Sequence, residues 1–316
     1  MKTPMDTRSL TEGAMLAAIT VVLALLGVYF FSYLLFIVPV PIAILVYRHG
    51  LRAGILVSVT AAMISGFFGT MVTTFIFLLV IGLVGIAIGG ALRENQSAPM
   101  VMVIGSGVAV IALVLLTGVA MLFFGADLVE RSFEMMEESF EYAYSLYESM
   151  GVDTSQILGG VSVAELIAMM KTILPSAVVL TGIGITFVNY WLTRTLLRRF
   201  TSKEVPWFQP FGNWKFASYL VWGFILAKAL LLILQTQNNP LLLQVAMNLE
   251  IIFNYVYLLQ GMAIAWSFLN NWQVATFIRV LLLFLAITSP VATMLIFLGV
   301  LDTWFDWRKL ERQDNQ

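Results

Sequence analysis

The sequence contains no cysteine, a single histidine and few charged residues, which make up 11% of its 316 residues. Without cysteine the chain has no disulfide bond, no thiol nucleophile and no thiolate ligand for a metal. One histidine argues against a zinc or haem centre. Ordinary soluble domains carry roughly 25% charged residues, more than twice this fraction. The sparse charge points to a protein that lies in a membrane.

Catalytic motifs are also missing from the sequence. It has no HExxH, no GxSxG, no P-loop and no dinucleotide-binding fingerprint. We therefore expect the protein not to be an enzyme and to bind no cofactor and no metal ion. We expect no nucleic-acid partner, and the expected surroundings are the lipid bilayer.

Apolar residues make up 60% of the chain, and the mean hydropathy is +0.93. Runs long enough to cross the ~30 Å hydrocarbon core recur along its whole length. The sequence predicts an all-α, polytopic transmembrane helical bundle with about nine or ten membrane segments, several of them short. The predicted segments are 14–31, 33–47, 53–70, 71–92, 99–124, 172–197, 216–234, 245–268 and 275–301, the last interrupted at Ser289-Pro290.

These segments define a predicted domain organisation. Residues 1–124 form an N-terminal membrane bundle, 125–170 an extracellular acidic helical insert, 171–301 a C-terminal membrane bundle and 302–316 a polar tail. In the insert, apolar side chains recur every three or four residues, as on one face of an amphipathic helix. They are Phe133, Met136, Phe140, Tyr144 and Tyr147. The insert is interpreted as a surface cap, with a lid over an outward-facing cavity or an acidic metal site as alternatives.

Basic residues predict the orientation, because cytoplasmic loops carry an excess of lysine and arginine. A cytoplasmic N-terminus places most basic residues inside: Lys2, Arg8, Arg48, Arg52, Arg93 and the cluster from Arg194 to Lys215. Nine full crossings would put the C-terminal tail outside, although Arg308, Lys309 and Arg312 favour the inside. Breaking 275–301 into two short limbs removes this conflict, and ten segments with both ends inside are therefore favoured.

The turn between the second and third segments holds the only histidine, His49, beside Arg48 and Arg52. His49 is interpreted as a loop residue at the membrane interface, and a contact with a phosphate or lipid headgroup is the alternative. In the fourth segment, Gly85 and Gly89 are four residues apart, a spacing that lets helix backbones approach. Packing within the chain and packing between subunits both remain open for this pair.

Two ionisable residues fall inside predicted membrane segments, where charge is costly and therefore informative. Lys228 and Glu250 lie at about equal depth, roughly 8–10 Å below the outer boundary at ~1.5 Å per residue. Asn254 and Tyr257 continue the face of Glu250, and Gly261 would leave room beneath this polar strip. The pair is a structural clasp between two helices, a ligand or ion site, or a pair of side chains that snorkel. In the second case Lys228, Glu250, Asn254 and Tyr257 are the ligand-binding residues.

Aromatic residues mark the loop WFQPFGNWKF, which contains Trp207 and Trp214. Tryptophan is enriched at membrane interfaces, so these side chains are interpreted as interfacial anchors. A docking surface for a cytoplasmic or membrane partner is the alternative.

Four stretches together resemble the YybS-like family of bacterial membrane proteins. They are LTEGAMLAAITVVLALL, PVPIAILVYRHGLRAGILVS, IGLVGIAIGGALRE and LGVLDTWFDWRKL. More distantly, the first half is similar to the substrate-binding S components of energy-coupling factor transporters. This likeness rests on the alanine-rich first helix, the proline-marked second segment, the turn HGLRAG and the glycine-rich helix that ends at Arg93.

The resemblance to S components implies a ligand cavity that opens outward and a coupling subunit that meets Ala14, Ala17 and Ala18. The chain departs from that family by its larger number of segments and its acidic insert. The leading interpretation is a transporter-like protein of the bacterial cytoplasmic membrane that binds a small molecule, in the manner of a substrate-binding subunit. Its rival is a membrane scaffold or regulator that docks a partner through its aromatic loops.

Overall fold

The computed structural model describes residues 7–125, 128–151, 161–201, 204–234, 239–288, 290–305 and 307–308, and these residues form no strand. The α-helices are numbered α1 to α12 in chain order. They are α1 (Thr7–Tyr29), α2 (Pro39–His49), α3 (Leu51–Phe68), α4 (Met71–Phe75), α5 (Leu83–Arg93), α6 (Ala98–Phe124), α7 (Leu128–Ser149), α8 (Val163–Phe200), α9 (Leu220–Leu234), α10 (Pro240–Asn271), α11 (Thr276–Ile287) and α12 (Val291–Phe305). Short 3₁₀ segments span Ser32–Ile37 and Phe211–Asn213, and a π-helical segment, Ile76–Gly82, joins α4 to α5.

In the described part of the chain, seven helices are long and apolar enough to cross a membrane. A bent pair, α11 and α12, passes the same test together, and α9 is a shorter apolar helix of 15 residues. The all-α, polytopic architecture predicted from the sequence is confirmed. The predicted break at Ser289-Pro290 corresponds to a 103° bend between α11 and α12. Because proline lacks an N–H and its ring clashes with the preceding turn, a helix commonly ends before it.

By contacts between Cα atoms, the chain divides into two compact units. Unit 1 comprises the described residues of Met1–Met169 and Ala177–Trp207, and unit 2 those of Met170–Ser176 and Phe208–Gln316. The long helix α8 therefore contributes residues to both units. The domain boundaries expected from the sequence stay predictions.

Unit 1 is built around α2, in which every residue from Pro39 to Val46 is buried. Glycines of α5 allow this burial. A Cβ atom added at Gly85 would lie 2.8 Å from the carbonyl oxygen of Pro39, and one at Gly89 would lie 2.4 Å from that of Ala43. Only glycine therefore fits where α5 crosses the backbone of α2. The small-residue spacing of the fourth predicted segment packs two helices of one chain.

Helix α8 is tied to the 3₁₀ segment of unit 1 through Asn189, whose side chain is fully buried. Its amide nitrogen donates to the carbonyl oxygens of Phe36 and Ile185, each at 2.8 Å. These bonds satisfy carbonyl groups that would otherwise be costly to bury. Asn189 therefore makes packing hydrogen bonds within unit 1.

The acidic insert contains α7, and its apolar stripe faces the protein for most of its length. Phe133 is buried, Met136, Phe140 and Tyr144 are half-buried, and Tyr147 is exposed. Helix α7 packs against α6. Among the described residues, no group of three or more histidine, aspartate or glutamate side chains could hold a metal ion. Helix α7 lies within the predicted insert, and its role as a cap or a lid stays a prediction.

Unit 2 has a small core of Val221 and Phe224 from α9, Tyr257 from α10 and Val300 from α12. Two glycines bring α10 and α12 together. A Cβ atom added at Gly261 would lie 1.9 Å from the carbonyl oxygen of Leu295, and one at Gly299 would lie 2.2 Å from that of Tyr257. The room expected beneath the polar strip of α10 is therefore filled by the backbone of α12, and this expectation was wrong.

Both ends of the bent pair α11–α12 contact residues near the 3₁₀ segment Phe211–Asn213. At its start, Arg279 donates to Asn270 at 2.7 Å and lies 4.6 Å from the ring of Trp266, which contacts Phe211. After its end, Arg308 donates to the carbonyl oxygen of Gly212 at 2.7 Å. The pair thus leaves and returns to the same part of unit 2.

Candidate functional site

Lys228 of α9 and Glu250 of α10 form the ion pair that their equal predicted depth allowed. The Lys228 ammonium also lies 5.6 Å from the centre of the Phe224 ring. The Lys228 side chain is 45% exposed and that of Glu250 is 24% exposed. The pair therefore lies at the surface of unit 2 rather than inside its core.

The surrounding sequence explains why these two charges meet. Except for Lys228, α9 consists of apolar residues and glycine, so the ammonium has no partner within its own helix. Helix α10 packs directly against α9 and presents Glu250. In an apolar environment an unpaired ammonium and an unpaired carboxylate are each costly, and pairing removes much of that cost.

The other two predicted ligand contacts differ from each other. Asn254 is half-buried one turn after Glu250. Tyr257 is 1% exposed, and its ring meets that of Phe224 at 5.2 Å in an edge-to-face arrangement. The structure brings Lys228 and Glu250 together and places Tyr257 in the core beneath them. The ligand-binding role of all four residues stays a prediction.

A second, buried ion pair in unit 2 escaped the sequence analysis. Arg308 donates to the Asp302 carboxylate at 2.6 Å, and the two side chains are 2% and 0% exposed. Gln260 of α10 donates to the same carboxylate at 3.3 Å and accepts from the backbone N–H of Phe216. Asp302, which the sequence analysis assigned to a polar tail, lies in the last turns of α12. The available signal was an aspartate directly after the apolar run of that helix.

Asn248 of α10 forms a further polar contact inside unit 2, at Pro175 in helix α8. Its amide nitrogen donates to the carbonyl oxygen of Thr172, and its amide oxygen accepts from the N–H of Ser176, at 2.8 and 2.7 Å. These two groups would bond each other in an uninterrupted helix. The side chain of Asn248 has inserted into the helical hydrogen-bond ladder beside the proline.

The predicted partner-interface residues lie in different environments. The Trp207 ring lies 5.2 Å from that of Tyr190 and 4.8 Å from the Arg194 guanidinium, both in unit 1. In unit 2, Trp214 packs against Phe208 and Phe211, and its indole N–H donates to the carbonyl oxygen of Gln209. Residues of the chain itself therefore cover part of each tryptophan.

On α1, Ala14 and Ala18 are exposed and Ala17 is half-buried. The exposed alanines lie beside Met15 and Val22, which are also exposed. The small face expected on the first helix is thus open over two of its three residues. Contact with a coupling subunit stays a prediction.

The apolar helices and the few intramembrane charges define an integral, multi-pass membrane protein. The chain matches a family model described as predicted membrane protein (DUF2232) over residues 18–303, and it belongs to that family. It is 26% identical over 311 residues to “Uncharacterized protein YybS” of Bacillus subtilis (strain 168), which covers 96% of this chain and 98% of the relative. The predicted YybS-like family is confirmed. No solved structure matches the chain, and the likeness of its first half to S components stays a prediction.

Proposed function

We propose that the protein binds a small charged solute at the Lys228–Glu250 pair, as a transporter-like component of the bacterial cytoplasmic membrane. The observation that carries the proposal is the exposure of this pair, at 45% and 24% of the two side chains. An accessible pair can exchange its internal partner for the opposite charges of a zwitterionic or ionic solute.

The bent pair α11–α12 in the same unit supports this proposal. Its 103° bend divides one apolar stretch into two short helices. Transporters commonly use interrupted helices near their binding sites, because the interruption supplies unpaired backbone groups for a solute.

A substrate-binding subunit needs a surface for its membrane partner, and the exposed face of α1 offers one. Ala14 and Ala18 expose little side chain, so a partner helix can approach the backbone closely. The proposal therefore includes a membrane coupling subunit at this face. The test is recovery of such a subunit, with its ATPases, from native membranes with the tagged wild type and its loss with Ala14→Phe and Ala18→Phe.

The scaffold or regulator is the second candidate. It would use Trp207 and Trp214 as docking residues for a cytoplasmic or membrane partner. Both rings contact other residues of their own unit, and this packing reduces the surface that they offer. The binding of a solute at the ion pair is therefore the better-supported proposal.

Charge exchange separates a binding role from a structural one. The variants are Lys228→Ala, Glu250→Ala and the double exchange Lys228→Glu with Glu250→Lys. We expect a solute from a broad metabolite panel to raise the melting temperature of the purified wild type and to have no effect on either alanine variant. The double exchange restores an ion pair and the stability that depends on it, but it reverses the charges that a solute meets.

The matched control is Arg279→Gln, which alters a charged side chain of the same unit away from the pair. A solute-dependent shift that survives both alanine variants refutes the proposed site. A shift of wild-type size in the double exchange shows that the solute does not contact these charges. If no solute in the panel stabilises the wild type, the proposal gives way to the scaffold.

A further inference from the structure

Where the α2–α3 turn meets the end of α5, unit 1 has an open cleft of about 480 Å³. It is lined by His49, Gly50, Leu51, Arg52, Gly90, Arg93 and Glu94. This cleft shares no residue with the Lys228–Glu250 pair, and the inference drawn from it is independent of the proposed function.

Glu12 of α1 accounts for part of the basic cluster that the sequence singled out. Its carboxylate pairs with Arg48 and lies 3.2 Å from Nε2 of His49. Arg48 does not line the cleft, and its charge is balanced by this pairing. The sequence grouped Arg48 with Arg52 beside a candidate phosphate contact. In the structure Arg93, and not Arg48, lines the cleft together with Arg52.

Arg93 is fixed in place by the end of α2. One guanidinium nitrogen donates to the carbonyl oxygens of Tyr47 at 3.0 Å and Val46 at 3.4 Å. These acceptors are neutral, so the full positive charge of Arg93 remains at the wall of the cleft. Because these two hydrogen bonds already hold the Arg93 side chain in place, it would lose less conformational entropy on binding a ligand.

Arg52 is the second cation, and within the described part of the chain its side chain forms no hydrogen bond and no ion pair. It is exposed at the start of α3. Glu94 brings one carboxylate to the same lining. Two guanidinium groups against one carboxylate leave a surplus of positive charge at the lining.

Two glycines keep the cleft open. Gly50 has a φ angle of +91°, which side chains other than glycine rarely adopt. A Cβ atom added there would lie 3.6 Å from the Arg93 guanidinium carbon, and one at Gly90 would meet only Leu51, also at 3.6 Å. Since Gly90 lines the cleft, a larger side chain there would take up part of its volume.

We propose that this cleft binds a phosphate group, held by Arg52 and Arg93. Guanidinium groups bind phosphate oxygens through paired, charge-assisted hydrogen bonds. The turn is predicted to lie at the cytoplasmic boundary of the membrane, where anionic lipid headgroups are concentrated. The phosphate belongs either to such a headgroup or to a soluble ion or metabolite, and both present the same chemistry to the cleft.

The test uses the full chain with Arg52→Gln, which removes one cation, and Gly90→Met, which fills the cleft and leaves every charge. The matched control is Arg198→Gln, an exposed arginine on the same predicted side of the membrane. One set of melting curves compares nanodiscs of phosphatidylglycerol with nanodiscs of phosphatidylcholine. A second set of melting curves is measured in a neutral detergent with increasing inorganic phosphate, and chloride at equal ionic strength serves as the reference.

We expect wild type and Arg198→Gln to be stabilised equally, and half-saturation to need about tenfold more ligand in Arg52→Gln, since a charge-assisted bond contributes about 1.4 kcal/mol or more. Gly90→Met should weaken binding as well. A response to phosphatidylglycerol alone identifies a headgroup site, and a response to inorganic phosphate identifies a site for a free ion. The proposal is overturned if every variant responds as strongly as the wild type. It is also overturned if the wild type responds to neither probe.

Discussion

Replacing Gly261 by alanine should separate α10 from α12 and destabilise unit 2. The added Cβ atom would lie 1.9 Å from the Leu295 carbonyl oxygen, whereas ordinary van der Waals contact begins at 3.4 Å. The two backbones would therefore have to move apart by about 1.5 Å at this point. Because the atom that is struck belongs to the backbone, no side-chain rotation can relieve the contact.

The size of the effect follows from two opposing contributions. Overpacking a well-packed contact costs about 1–3 kcal/mol. Alanine in a helix is favoured over glycine by up to about 1 kcal/mol, which offsets part of that cost. Gly299 adds to the cost, since its own close approach to Tyr257 would be lost with the same displacement. We expect Gly261→Ala to lower the free energy of unfolding by about 1–3 kcal/mol.

The matched control is Gly118→Ala in α6, where an added Cβ atom meets nothing within 4 Å. This change keeps the helix-propensity gain and has no clash, so it should leave stability unchanged or raise it by up to about 1 kcal/mol. Both variants are compared with the wild type by equilibrium unfolding in mixed detergent micelles. If Gly261→Ala is as stable as Gly118→Ala, the close α10–α12 contact does not exist in the membrane protein.

Three further predictions concern polar contacts of unit 2. Asp302→Asn should destabilise the protein by about 3–5 kcal/mol in the same assay, because it leaves the Arg308 charge buried and unpaired. Removing both charges with Asp302→Leu and Arg308→Met should cost much less, and equal losses of stability in the single and double variants would contradict the burial of the pair. Asn248→Leu should cost about 1–3 kcal/mol, since it leaves the backbone groups beside Pro175 unsatisfied, and an unchanged melting temperature would exclude the inserted side chain. In this cysteine-free chain, a single cysteine at Asn213 and one appended to the C-terminus should react with an impermeant maleimide from the same side of the membrane, and labelling from opposite sides would contradict the Arg308–Gly212 contact.

The sequence was sufficient to predict those features that depend on long apolar runs and on local spacing. The membrane helices, the amphipathic face of α7 and the break at Pro290 each follow from a continuous or periodic pattern. The pairing of Lys228 with Glu250 could also be predicted from the sequence, since two charges in apolar helices at equal depth have few other partners. Such features need only the residues of one or two neighbouring helices.

Contacts that depend on how distant segments meet were not predictable in this way. Arg308 and Gly212 are 96 residues apart, and nothing in either local sequence indicates the contact. The same limit explains Gly261, whose small size was interpreted as space for a ligand, although it provides space for α12. A glycine in one helix shows that something approaches closely, but only the packing shows what approaches.

The contacts of Arg279 and Arg308 bear on the predicted topology, in which nine full crossings conflicted with the basic tail. Arg279 contacts Trp266, which packs on Phe211, and Arg308 contacts Gly212. Because both ends of α11–α12 lie beside one short segment, the pair does not carry the chain from one side of unit 2 to the other. A helix pair that returns to its starting side adds either two short crossings or none. Either count keeps Arg308 on the side of the 3₁₀ segment Phe211–Asn213, and the excess of lysine and arginine predicts the same side for the basic tail.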